Sequence, residues 1–217
     1  MTIVEPIASD RLDEEAPAAR RKPMQQRSRD RLERILGAAS ELIVRTGSDQ
    51  VKMNEVAALA GISIGSLYQY FPEKSALIRT LAERYNAASR LCIEQALAPV
   101  ATLDELVGAY AGLLDLYYEI VMAEPVMRDI WSGMQADKQL MALQLTESRV
   151  CGALLSAAMQ RVHPTIDPAR LDVAAFLIWE LGEATIRLAI SVESDEGRAL
   201  VDKFKRMTVQ EIAAPSA

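Results

Sequence analysis

The stretch "AGISIGSLYQYFPEK", residues 60–74, reads as a short helix opening at Ser63, yet it places Gly65 in the first turn. A glycine inside a helix costs roughly 1 kcal/mol relative to alanine. Ser63 suits an N-cap, its hydroxyl accepting from the open N–H groups of the first turn. Ile62 before it and Leu67 within it are spaced as a hydrophobic staple. With Leu67 and Tyr70 turned inward, the opposite side is Ile64, Gly65, Tyr68 and Gln69, with Ser66 at its edge. That face carries no charge. Pro72 ends the helix, because it disfavours α geometry at Phe71 and lacks a donor.

Working outward, a second short helix precedes this one, from Lys52-Met53 to Gly61, with Met53, Val56, Ala57 and Ala60 inward. A longer helix from about Ser28 to Thr46 carries the stripe Leu32, Ile35, Leu36, Ala39, Leu42 and Ile43 and closes at Gly47. Two short helices joined across Gly61, the second exposing small and hydrogen-bonding groups, describe a helix-turn-helix. In that motif Gly65 has a reason: without a Cβ, the helix N-terminus can approach DNA closely. Ser66 and Gln69 can hydrogen-bond base edges, Ile64 can meet a thymine methyl, and Tyr68 can reach phosphate. A fourth helix starts at Glu73-Lys74, where Lys74 opposes that helix's own dipole unless an anion such as phosphate sits beside it.

The charge distribution agrees. The 217-residue chain has a net charge of −6, but residues 20–79 hold eleven Lys/Arg against six Asp/Glu, while residues 80–217 hold twelve against nineteen. A basic segment on an acidic body suggests that one part meets a polyanion. Residues 1–26 read as a flexible arm ending in a basic run, either solvated or adding phosphate or minor-groove contacts through Arg20, Arg21 and Lys22.

Scarce aromatics, abundant Ala, Leu and Met, and the lack of alternating strand patterns predict an all-α fold. Thr102 and Glu105 form a capping box for a helix stopped by Pro125. Further helices are expected over 126–133, 136–162, 168–192 and 194–210. Asp167-Pro168 is a cap followed by proline at the first helical position. The stretch "VAAFLIWELGEATIRLAISV", residues 173–192, is broken by Glu180, Glu183 and Arg187, so no membrane span is expected there. It is nonetheless apolar on more than one face: Leu171, Ala174, Ala175, Ile178 and Gly182 on one side, Phe176, Leu177 and Leu181 on another. A helix of that kind calls for a partner beyond its own core. Cys92 and Cys151 read as small core residues, with no CxxC spacing. With one histidine, His163, and no phosphate-binding glycine loop, no enzyme, metal site or cofactor is expected. A soluble, cytoplasmic protein is expected.

Residues 53–78, "MNEVAALAGISIGSLYQYFPEKSALI", resemble the DNA-binding signature of TetR-family transcriptional regulators. The matching positions are Val56-Ala57, Ala60-Gly61-Ile62-Ser63, Gly65, Leu67-Tyr68, Tyr70-Phe71, Lys74 and Leu77. Lys52 and Glu73 depart from the small polar caps common there. The resemblance implies an arm over 1–26, a helix-turn-helix domain over 27–77, and a ligand-binding and dimerisation domain over 78–217. It implies a homodimeric repressor of a near-palindromic operator, released by a small apolar molecule. An activator, or a ligandless DNA-binding protein of the same fold, is the alternative. Lys52, Ser63, Ile64, Gly65, Ser66, Tyr68, Gln69, Tyr70 and Lys74 would form the DNA-binding set. Tyr117, Tyr118, Met122, Met127, Trp131, Met134 and Trp179 are the bulky residues suited to line a pocket.

Overall fold

The computed structural model describes residues 18–133 and 137–215, with side chains from residue 26 onward. Every regular element among them is helical: α1 Ala18–Thr46, α2 Met53–Leu59, α3 Ile64–Tyr70, α4 Lys74–Leu97, α5 Leu103–Ala123, α6 Pro125–Gly133, α7 Lys138–Val162, α8 Pro168–Ala189 and α9 Ser194–Ala213. The caps read from the sequence are formed. Ser63 Oγ accepts from the Ser66 N–H at 3.1 Å, Thr102 and Glu105 make the reciprocal capping box, and Asp167 caps α8 ahead of Pro168. Gly47 and Gly61 take positive φ, 78° and 65°, where a side chain would be strained.

One boundary differs. Helix α1 begins at Ala18, ten residues before Ser28, so residues 18–26 of the expected arm are helical; residues 1–17 lie outside the described residues. Alanine and arginine favour helix, and Pro23 falls within the second turn of α1.

The first three helices pack around Ile35, Ala39, Val56 and Leu67, all essentially inaccessible to solvent. This core does not stop at residue 77. It runs on through Leu77, Ile78 and Leu81 of α4 into Trp131 of α6, Leu114 and Tyr118 of α5, and Ile186 of α8. A second core, around Leu106, Leu155, Met159 and Leu171, fills the far end of the body and meets α4 at Ile93 and Leu97. Helix α4 therefore serves both cores, and residue 78 lies within one continuous helix. Helix α5 is long and apolar enough to cross a membrane by length and composition; here it packs against α4, α6, α7 and α9.

Two glycines allow helices to approach closely. A Cβ at Gly152 of α7 would stand 2.9 Å from the Phe176 Cα of α8, and one at Gly197 of α9 would stand 2.4 Å from the Ala189 carbonyl oxygen. Both neighbours are backbone, which cannot swing aside. Gly108 of α5 faces open space. Gly197→Ala is therefore expected to destabilise the fold by about 1–3 kcal/mol, whereas Gly108→Ala should add about 0.5–1 kcal/mol. Chemical unfolding of the two variants checks both; equal effects would contradict the helix approach described here.

Candidate nucleic-acid interface and ligand cavity

Helix α3 has seven residues, too few to hold itself together in water. It is held by Leu67, fully buried, and by Tyr70, which is half-buried and whose hydroxyl lies 3.1 Å from Ser28 Oγ of α1. The other side is open to solvent: Ile64 is 42% and Tyr68 49% exposed, and Gly65 and Gln69 are exposed between them. A Cβ at Gly65 would meet no atom within 4 Å. Nothing among the described residues requires glycine there. The Ser28–Tyr70 contact also brings the basic start of α1, Arg27 and Arg29, to the end of α3.

Three members of the expected DNA set have partners within the chain. Tyr70 turns toward α1 rather than outward. Lys52 is exposed at the head of α2, gives it no side-chain cap, and stands 3.6 Å from Glu55. Lys74 is half-buried, and its Nζ donates to the Ser48 carbonyl at 3.2 Å and the Asp49 carbonyl at 2.7 Å. An ammonium has three protons, so this tether leaves one for a phosphate. The turn it holds is gripped from the body as well, since the Ser48 N–H donates to Asp129 Oδ2 of α6 at 2.9 Å.

In the body, α4, α5, α7 and α8 enclose a cavity of about 70 Å³. A water needs roughly 10–15 Å³ of such space, so the void holds a few waters or a small ring compound. Its apolar wall includes Ile93, Leu113, Leu114, Ile178 and Trp179, and Leu116 and Ile120 form a partly exposed lip. Of the expected lining, Tyr117 and Trp179 are present. Tyr118 and Met122 are not: adjacent residues on a helix point about 100° apart, so Tyr117 and Tyr118 cannot share a face. Tyr118 lies under the Arg198 guanidinium, which sits 4.6 Å from its ring, and Met122 follows one turn later. Met127 and Trp131 are buried in the core of the first helices and α6. Met134 lies outside the described residues.

The polar lining was not anticipated. Asn86, Gln144, Glu147 and Glu183 are all nine-tenths buried, and all face the cavity. Polar residues on the inward side of a helical period are unfavourable unless partnered, and that is the sequence signal that could have found them. Glu147 is partnered: Arg90 donates to its two oxygens at 2.8 and 3.2 Å, and the Cys151 thiol points at it from 3.8 Å. Gln144 is not, and its Oε1 is buried with no hydrogen bond.

Glu183 ends a relay. Tyr117 Oη accepts from Trp131 Nε1 at 2.7 Å and donates to Glu183 Oε2 at 3.0 Å, tying α6 to α5 and α8. Burial disfavours the charged carboxylate and raises its pKa to about 7, with Glu180 adding to the rise and the Tyr117 hydrogen bond and Arg187 opposing it. Burial, with the Glu183 charge behind it, likewise lifts Tyr117 well above the usual phenol range. The folded-state value of Glu183 exceeds its ordinary 4.5, so the native state holds the extra proton between those two values. Stability falls as pH rises across that window, by up to about 3 kcal/mol. Glu183→Gln keeps the acceptor and loses the titration. Its stability relative to wild type should therefore grow between pH 5 and pH 8 by about 1–3 kcal/mol in denaturant titrations; parallel pH profiles would refute a buried ionisable group at 183.

Comparison with known proteins matches both halves of the molecule. Residues 35–81 match the family described as bacterial regulatory proteins, tetR family, and residues 104–215 match the tetracyclin repressor-like C-terminal domain. An uncharacterised HTH-type transcriptional regulator of Bacillus subtilis, YvdT, is 37% identical over 60 residues, which span 28% of this chain and 31% of that one. The matched region is thus about a third of that relative's length. The solved structure of RolR in complex with resorcinol superposes with a TM-score of 0.60 at 22% identity, covering 89% of this chain and 97% of that one. A TetR-family regulator from Streptomyces coelicolor superposes with a TM-score of 0.64 at 23% identity, covering 82% and 95%. With the helix-turn-helix at one end and the matching C-terminal domain over more than half its length, this chain belongs to the TetR family of DNA-binding transcriptional regulators.

Proposed function

We propose that the protein is a homodimeric repressor that reads a near-palindromic operator with α3 and leaves it when a small molecule enters the body. One observation carries the DNA reading: an uncharged, solvent-facing side of α3 built on a glycine that no contact among the described residues requires. A helix that gives up propensity where its own chain gains nothing is shaped for close approach by something else. Ser63, Ile64, Gly65, Ser66, Tyr68 and Gln69 would meet the major groove. Lys52 and the third proton of Lys74 would meet phosphate, helped by Arg27 and Arg29, and Tyr70 would hold α3 in place.

Dimerisation is supported by α8. Val173, Leu177, Leu181 and Leu188 lie exposed along one side at spacings of four, four and seven, while Leu171, Ala175, Ile178 and Gly182 bury the other. An exposed apolar row of this kind suits a self-complementary interface. Two copies related by a two-fold axis would present two α3 helices to two half-sites. Cytoplasmic action follows from this reading, since its target is DNA.

Release is supported by the chain of contacts from the cavity. Glu183, Tyr117 and Trp131 connect the cavity to α6, Asp129 of α6 holds the turn at Ser48, and Lys74 holds the same turn from α4. A ligand that competes for Glu183 or Tyr117 would shift α6 and, through this turn, the spacing of the two reading helices. RolR, with the same fold, was solved with resorcinol bound, which makes a small ring compound a reasonable first inducer to screen.

Selection of random duplexes on the purified protein should recover an inverted repeat, and recovery of no preferred sequence from folded protein would refute the reading. On that site Gly65→Leu should abolish binding while leaving thermal unfolding nearly unchanged, because the Cβ position is empty; loss of folding would mean glycine serves packing. Gln69→Ala should relax preference at one base pair, costing about 1–3 kcal/mol, read out by competition among single-base operator variants.

A further inference from the structure

Building on the reading of the body as a ligand-binding domain, we propose that its cavity selects compact, uncharged ring compounds held through hydroxyl-type hydrogen-bond donors and that it rejects carboxylates. The argument counts donors and acceptors around the void. Three strong donors nearby are already engaged. The Arg90 guanidinium is on Glu147, the Trp131 N–H is on Tyr117, and the Tyr117 proton is on Glu183. Acceptors remain. Gln144, 5% exposed, holds a buried Oε1 with no partner among the described residues. Glu183 also faces the void and accepts from Tyr117 at Oε2. A buried acceptor left without a donor is costly, and a ligand hydroxyl would supply the missing partner.

Charge excludes the other ligand classes. The lining contains two carboxylates, Glu147 and Glu183, and no lysine, arginine or histidine. An anion entering the cavity would lose its hydration and meet acidic groups with no cation to receive it. A cation would find Glu147 already paired with Arg90 and Glu183 already bonded to Tyr117. A hydroxyl both donates and accepts, so it also suits the amide of Asn86 and the hydroxyl of Ser89 on the α4 wall. The 70 Å³ void and the flat apolar surfaces of Trp179 and Tyr110 set the size and shape.

Phenol and toluene are nearly the same size and differ by one donor, so they separate hydrogen bonding from packing. Benzoate and benzylamine add an anion and a cation. Calorimetric titration of the full-length protein with each is expected to give phenol about tenfold tighter than toluene, with benzoate not binding. In Gln144→Leu the phenol-to-toluene ratio should fall to about threefold or less while toluene still binds, a change of selectivity that a purely structural role would not produce. Should that variant not fold, the wild-type ratio decides. Toluene equal to phenol, benzoate or benzylamine tighter than phenol, an unchanged ratio in Gln144→Leu, or no binding by any probe would each overturn the assignment. Operator binding by the same preparation without probe is a separate readout: if it stands while the probes fail, the ligand class is wrong and the DNA reading survives.

Discussion

The structure depends on the burial of Leu67. Helices α2 and α3 have seven residues each, below the length at which a helix persists alone in water. They exist because Leu67, Val56 and Ala57 close against Ile35 and Ala39 of α1 and Leu77 of α4. Their stability comes from one side only. The other side of α3 is therefore released from any duty to fold, and it can carry a glycine, an exposed isoleucine and an exposed tyrosine at no cost to the core. The cap from Ser63 and the stop at Phe71-Pro72 set the ends of this helix, so the outward face is short and its orientation is set by the core beneath it.

The same core explains why the two ends of the molecule are joined. Helix α4 contributes Leu77, Ile78 and Leu81 to the first core and Ile93 and Leu97 to the second. Helix α6 buries Trp131 and Met127 in the first core, and its Asp129 grips the turn after α1. Packed interiors pass displacement on, because close-packed side chains have few ways to absorb it. The cavity lies beside α4 and is tied to α6 through Tyr117, so it borders elements that also support α3.

Buried polar groups mark the difference between the two regions. Around Leu67 the core is built of buried apolar residues. Around the cavity it retains Asn86, Gln144, Glu147 and Glu183, each a liability in an empty interior. Arg90 satisfies Glu147 and Tyr117 satisfies part of Glu183. Gln144 is left over. A core optimised for stability alone would place apolar side chains at these positions.

Much of the fold was legible in the chain itself. The 3.6-residue spacing of Ile35, Leu36, Ala39 and Leu42, the caps at Ser63, Thr102 and Asp167, the left-handed glycines and the prolines at 72, 125 and 168 are local signals, read over a few residues and written directly into backbone energetics. They determined the helices close to where they lie among the described residues, the helix-turn-helix included, and the uncharged face of α3. Only the tertiary structure decided which polar residues share a cavity, that Tyr117 faces it while Tyr118 turns toward α9, and that Lys74 is tethered to the turn at Ser48. Residues 86, 117, 144 and 183 meet because of how four helices cross. That geometry comes from many weak packing contacts spread along the chain, including the close approaches at Gly152 and Gly197, and no short stretch of sequence encodes it.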